Sequence, residues 1–339
     1  MTDRDWLAPS IALTVASGLI AIVLIPDYAG VMPAVMILPY WMLASAVLAS
    51  ICWFLSMLIA RVDSPIAHMR KAVANDPRRA GLGVFCIFLA GINMTTFMWT
   101  KPLLNYLVPF WADPLLANVD HAVFFGRDPW TLLTWLNSTP AAIFYHRGWF
   151  ALMIVTLVIV LAAPPSPRKS AVMLTYFTLW SVVGPLVHST LPAAGPIFFD
   201  QLGYGNRFSD LHSVSETKDA ATYLWAIYSS NGFGPGSGIS AMPSLHIATT
   251  AWMMIAVHIF ARRLMMPMAI AGIFIFLLSI ALGWHYAADG IVGAGCAVLC
   301  FQLLHKFYRG RRLLASKLAG NPADSRATPI QAREAHVIE

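Results

Sequence analysis

GISAMPSLHIATTAWM, residues 238–253, passes from a polar, glycine-laden loop into an apolar run that lasts to Phe260. Read as the mouth of a membrane span, it sets a histidine, His246, beside Pro243 and Ser244 where the chain enters the bilayer. The rest of the chain supports that reading. Of its 339 residues 58% are hydrophobic and only 11% charged, outside the range of an ordinary soluble domain. A bilayer crossing takes about 20 mostly apolar residues, because each backbone amide must find its partner within its own helix. Eight such segments are predicted, at about 7–25, 34–60, 82–100, 142–163, 170–191, 243–260, 266–284 and 287–306. The last two meet at His285. The first is long, and Ile25-Pro26-Asp27 lacks a small-residue cleavage site, so it is read as a span and not a signal peptide. The expected fold is all-α, a polytopic bundle of about eight transmembrane helices.

Loop charges give the orientation. Arg4, the 61–79 loop, Arg168-Lys169, Arg262-Arg263 and the tail from Lys306 fall on one side, with 17 of the 22 basic residues. The other side has only Lys101, Arg127, Arg147, Arg207 and Lys218. Both termini are expected in the cytoplasm. The net charge of +6 is mostly this asymmetry, so nucleic acid is not needed as a partner. The opposite face carries the long loops 101–141 and 192–242, where sites usually lie. Trp99, Trp111, Trp130, Trp135, Trp149 and Trp284 are expected near that interface, and 101–141 is expected to hold short interfacial helices. Cys52, Cys86, Cys296 and Cys300 all lie within spans and read as packing residues, not as disulfides or metal ligands.

Topology brings His246, His285 and Asp289 to one membrane edge. A histidine and an aspartate four apart share a helix face, so the carboxylate can fix one imidazole nitrogen and leave the other free as nucleophile or ligand. Taken singly, His246 also fits an interfacial anchor, and His-x-x-x-Asp a capping interaction. Ionisable groups gathered at a span edge favour function.

Ala241-Met242-Pro243-Ser244-Leu245-His246, followed by His285-Tyr286-Ala287-Ala288-Asp289, resembles the type 2 phosphatidic acid phosphatase superfamily. It looks closest to the inositol phosphorylceramide synthase branch, an inositolphosphotransferase-like group. The superfamily pattern is K-x6-R-P, P-S-G-H and S-R-x5-H-x3-D. Here Lys101 precedes Val108-Pro109, Leu245 replaces the glycine, and Ser279 stands where the second arginine would be. The resemblance spans about 82–306 and implies a six-helix phosphatase-like core. The domain reading is 1–81 as two added spans with a basic loop, 82–306 as the catalytic core, and 307–339 as a basic, disordered cytoplasmic tail.

By resemblance His285 attacks phosphorus, Asp289 orients it, and His246 protonates the leaving oxygen, giving a phosphohistidine intermediate without metal or other cofactor. With both family arginines missing, Lys101 and Arg147 are the candidate phosphate-binding cations, and Asp113, Asp120 or a lipid headgroup would be the partner if Arg147 were not catalytic. Ser244 reads as a helix cap or a phosphate donor. The glycine run 232–238 reads as a lid over a lipid site or a phosphate nest, and the 195–200 string as a wall of the acceptor pocket. The implied substrate is a membrane phospholipid or polyprenyl phosphate, with an alcohol or sphingolipid-like acceptor. The alternatives are a lipid phosphatase acting on phosphatidate, phosphatidylglycerol phosphate or polyprenyl diphosphate, and a transporter or scaffold. The site is expected to be periplasmic or lumenal, and compact loops without a presequence favour a bacterial inner membrane.

Overall fold

Backbone amides in lipid must be satisfied within their own segment, and the chain meets that demand with helices throughout. The computed structural model describes residues 2–24 and 30–319, and among these there is no strand. Eleven helices follow in order. The first six are α1 (Arg4–Leu24), α2 (Val31–Ile59), α3 (Pro65–Asn75), α4 (Pro77–Leu107), α5 (Asp113–Val123) and α6 (Thr139–Ala162). The remainder are α7 (Pro167–Thr190), α8 (Ser215–Ser229), α9 (Leu245–Phe260), α10 (Met265–Ala281) and α11 (Ala287–Ala319). Seven are long and apolar enough to cross a membrane, as in an integral multi-pass protein, and α9 is an apolar helix of only 16 residues. Ile25-Pro26-Asp27 and the chain beyond Ala319 lie outside the described residues.

Prolines at first-turn positions, where no amide partner is lost, open several helices. Asp76 caps α4 by accepting the Arg79 amide, and Ser166 caps α7 by accepting that of Lys169. Two π-turns interrupt the bundle, Phe144–Gly148 in α6 and Leu179–Val183 in α7. The second has a plain cause: Pro185 has no amide hydrogen and its ring would strike the carbonyl one turn back, so the helix widens just before it.

The centre of the bundle is α9, flanked by α6, α7, α10 and α11. Lipid supplies no hydrophobic drive between helices, so close backbone approach at small residues is what holds them. A Cβ on Gly293 of α11 would lie 2.5 Å from the Ser244 carbonyl oxygen. Buried indoles add inter-helix hydrogen bonds: Trp252 donates to the Val172 carbonyl (2.7 Å) and Trp41 to that of Ile87 (2.8 Å).

The division expected at residue 81 is not a division of the core. Trp6 of α1 and Trp41 of α2 are buried in the same apolar cluster as α9. Asn93 of α4 donates to Thr14 of α1 (3.0 Å) and to Ser181 of α7 (2.6 Å), tying the first span in. The two ends of the bundle are distinct. At one, Lys169 pairs with Asp3 (3.0 Å) and the Tyr308 hydroxyl donates to the Asp5 carbonyl (2.8 Å), so the described start and finish of the chain meet there. The histidine motifs lie at the other.

Four expectations need correction. The last helix runs on to Ala319, so 307–319 are helical and not a disordered tail. Since α4 continues to Leu107, Lys101 lies inside it and not just after it. Of the six tryptophans expected at the interface, only Trp111 and Trp135 are exposed, while Trp99, Trp130, Trp149 and Trp284 are packed within the protein. The last two spans do not meet end to end, for a turn at 282–286 separates them. Short helices in the 101–141 loop are present, as α5 and two 3₁₀ turns, and the four cysteines are free.

Candidate active site

Three buried carboxylates fix the backbone around His285. Asp120 of α5 accepts the amides of Ala287 (2.6 Å) and Ala288 (3.0 Å) and so caps α11 from another helix. Asp289 reaches back to the Tyr286 amide (2.9 Å). Asp113 accepts the amides of Ala194 (2.9 Å) and Gly195 (2.8 Å) and the Tyr286 hydroxyl (3.0 Å). Burial pushes Asp113 and Asp120 up to about 6, against the pull of the amides they accept. Burial, with Asp113 and Asp289 alongside, raises the Tyr286 phenol well above its usual range, so it stays a donor.

This frame changes how the His-x-x-x-Asp pair works. His285 precedes α11 and is not on its face. The 282–286 turn folds back so that the His285 amide donates to the Ser279 carbonyl (3.1 Å), and Asp289 serves as a cap. His285 Nδ1 lies 2.9 Å from the Ala241 carbonyl and 3.6 Å from Asp289 Oδ2. The first is a hydrogen bond and the second a near charge contact. The carbonyl therefore holds the proton on Nδ1, and Nε2 keeps a lone pair.

His246, at the start of α9, stands between two rings, Tyr145 at 4.7 Å and Trp149 at 4.1 Å between centroids. Its ring centroid is 6.2 Å from that of His285. Both histidines and Lys101 border one cavity of about 540 Å³. Phe97, Phe150, Trp180 and Leu245 give it an apolar lining, and Arg147, Tyr223 and Pro235 border it as well. An amphiphile with an anionic head suits such a space.

The strap from Gly234 to Ser244 closes one wall. Asn105 holds it by donating to the Ile239 carbonyl and accepting the Ile239 amide, each at 2.7 Å. Gly238 has φ +90°, and a Cβ there would come within 2.8 Å of the Pro102 nitrogen. Both its backbone angle and its contact with α4 require glycine. Gly236 and Gly238 border the cavity, and Ser237 closes a turn by accepting the Gly234 amide (3.1 Å). Phe198, from the 195–200 string, borders the cavity too, whereas Asp200 is exposed.

His246, His285, Asp289 and Lys101 are thus brought together. Ser244 is fully buried, caps α9 through the Ile247 amide (3.4 Å) and does not border the cavity. Arg147 is not a buried-edge cation beside Asp113 or Asp120. Its side chain is 74% exposed and pairs with Glu216 of α8 at 3.0 Å. One residue escaped the sequence reading. His146, next to it in the π-turn, borders the cavity with its centroid 6.0 Å from that of His246. No spacing marks it, and only the structure shows it. Among the described residues no group of three or more His, Cys, Asp or Glu is placed to hold a metal ion.

Residues 114–303, more than half of the chain, match the family described as the PAP2 superfamily. No curated protein and no solved structure matches the chain.

Proposed function

The chain belongs to the PAP2 superfamily, whose members are phosphoesterases or phosphotransferases, and from that premise we propose that it is a membrane phosphotransferase. It would move a phospho-headgroup from a lipid donor to an alcohol acceptor, in the manner of an inositol phosphorylceramide synthase. The observation that carries this reading is the pair of histidines facing one amphipathic cavity, 6.2 Å apart, with Nδ1 of His285 tied to the Ala241 carbonyl.

In the first half-reaction His285 Nε2 forms a bond to phosphorus. The bond from phosphorus to the lipid oxygen breaks, and His246 gives its proton to that oxygen. The new imidazolium keeps its Nδ1 proton on Ala241, with the Asp289 carboxylate 3.6 Å away to offset the charge. In the second half-reaction the acceptor hydroxyl loses its proton to His246 as its oxygen takes the phosphoryl group from His285. Lys101 supplies positive charge to the phosphoryl oxygens. By the charge asymmetry of the loops, the site faces the periplasm or lumen and both chain ends the cytoplasm.

Hydrolysis is the second reading. Arg147 and Tyr223 at the cavity's rim are both exposed, which would let water reach the same intermediate. Purified protein in detergent, given phospholipids and a polyprenyl diphosphate radiolabelled in the phosphate, separates the two. A labelled phosphodiester lipid formed only with an alcohol acceptor supports transfer; label released to water without one supports hydrolysis. Acid-labile label on the wild-type protein and none on His285→Ala is expected in either case. Undiminished turnover in both His285→Ala and His246→Ala would sink the mechanism.

A further inference from the structure

The phosphotransfer reading leaves several unpartnered polar groups of the cavity's lining residues unused, those of Tyr145, Trp180 and Trp284 and, as the one imidazole among them, His146. His146 sits at the centre of the Phe144–Gly148 π-turn, a local widening that shifts side chains out of the regular helical frame. Its ring meets Trp284 edge-on at 5.6 Å and that of His246 at 6.0 Å. His146 Nε2 is buried and has no hydrogen-bond partner among the described residues. An imidazole nitrogen in that position costs stability unless water or a ligand supplies the missing partner.

The charge balance of the cavity points the same way. A phosphoryl group carries one or two negative charges on its peripheral oxygens. Lys101 and Arg147 are the lysine and arginine that border the cavity, and Arg147 is engaged with Glu216. The two other histidines are taken by nucleophilic attack and proton transfer. That leaves Lys101, with the neutral donors of the wall, to meet the charge of the transferring group.

We propose that His146 is a phosphate-binding residue, its Nε2–H donating to a peripheral oxygen of the phosphoryl group opposite Lys101. The ligand class is a tetrahedral oxyanion esterified to a lipid. The rings of His146 and His246 meet edge-on at 6.0 Å and those of His246 and His285 lie 6.2 Å apart between centroids, so the three imidazoles border the same cavity side by side, where one oxyanion can accept hydrogen bonds of about 2.8 Å. The inference rests on the phosphotransfer reading and adds to it the residue that completes the anion's shell.

Orthovanadate, a tetrahedral analogue, tests it on the full-length protein in detergent. Trp149 and Trp284 beside the histidines report binding through intrinsic fluorescence. His146→Phe fills the same space without a donor, His146→Gln keeps a donor, and His146→Arg adds a fixed charge. The expected result is vanadate binding by wild type, at least tenfold weaker binding by His146→Phe, and recovery in His146→Gln or His146→Arg, with all melting temperatures close to wild type. KM for the lipid donor should rise in His146→Phe more than kcat falls. Binding by His146→Phe and His146→Gln within twofold of wild type, while His285→Ala still abolishes the labelled intermediate, would overturn this inference and leave the proposed function standing. No vanadate binding by wild type would overturn both.

Discussion

Gly293→Ala should slow the reaction far more than it weakens the fold. The added methyl would sit 2.5 Å from the Ser244 carbonyl oxygen, so α11 must retreat by about 0.9 Å before ordinary contact at 3.4 Å is restored. That carbonyl cannot swing aside, because it also accepts the Ala248 amide at 2.8 Å. Overpacking of this kind costs about 1–3 kcal/mol, while replacing glycine by alanine within a helix returns up to about 1 kcal/mol. The net loss should be about 1–2 kcal/mol, and the protein should still fold. The site is less tolerant. Asp289 lies one turn before Gly293 and its carbonyl accepts the Ser244 amide (3.2 Å), so the displacement falls on the contact between His285 and His246. A misplacement of about 1 Å can cost on the order of 100-fold in rate. Gly295→Ala is the control, since nothing lies within 4 Å of its Cβ position. Headgroup transfer and intrinsic-fluorescence melting, run on both variants in detergent, decide the matter. Should Gly293→Ala and Gly295→Ala turn over within twofold of each other, the claim that this contact sets the histidine spacing is wrong.

Lys101→Met should raise the donor KM by about 10- to 100-fold, the worth of a hydrogen bond to a charged group; an unchanged KM would remove Lys101 from the phosphate site. Arg147→Ala should alter stability by less than about 1 kcal/mol, as expected of an exposed pair, and leave transfer within about threefold. A larger loss of transfer would show that its pairing with Glu216 opens during the reaction. Asp113 and Asp120, raised to about 6, keep protons in the folded state that they release when unfolded. Stability should therefore fall as pH rises from about 4 to about 6 and level off above it. Melting curves of Asp113→Asn and Asp120→Asn should show a shallower slope, and an unaltered slope would contradict the raised values.

Hydropathy and the two histidine motifs carried the outline of this molecule because both are local signals. Lipid requires each span to be apolar along its own length, so Arg4–Leu24 or Met265–Ala281 can be read without knowing their neighbours. His246 and His285 were legible because their motifs lie at the mouths of adjacent apolar runs. What escaped depends on partners distant in sequence. Asp113 and Asp120 look like ordinary loop acids until the 282–286 turn arrives to be capped. His146 stands beside an arginine that drew the attention, and the π-turn that orients it has no sequence mark comparable to Pro185 in α7. The tie from Asn93 to the first span joins residues 79 positions apart. For that reason α1 read as an addition and not as part of the core.

The brevity of α9 has a consequence for where a lipid must go to react. At about 1.5 Å per residue its 16 residues reach about 24 Å, against about 30 Å of hydrocarbon. Lys101 is likewise set back, with α4 continuing through Pro102–Leu107, about 9 Å further. If the shortfall lies at the His246 end, the first residues of α9 sit beneath the plane where headgroups rest. Either the donor sinks or the surrounding leaflet thins to meet it. Membrane thickness then becomes a control on turnover, and vesicles of short-chain lipid should support faster transfer than vesicles of long-chain lipid with the same headgroup.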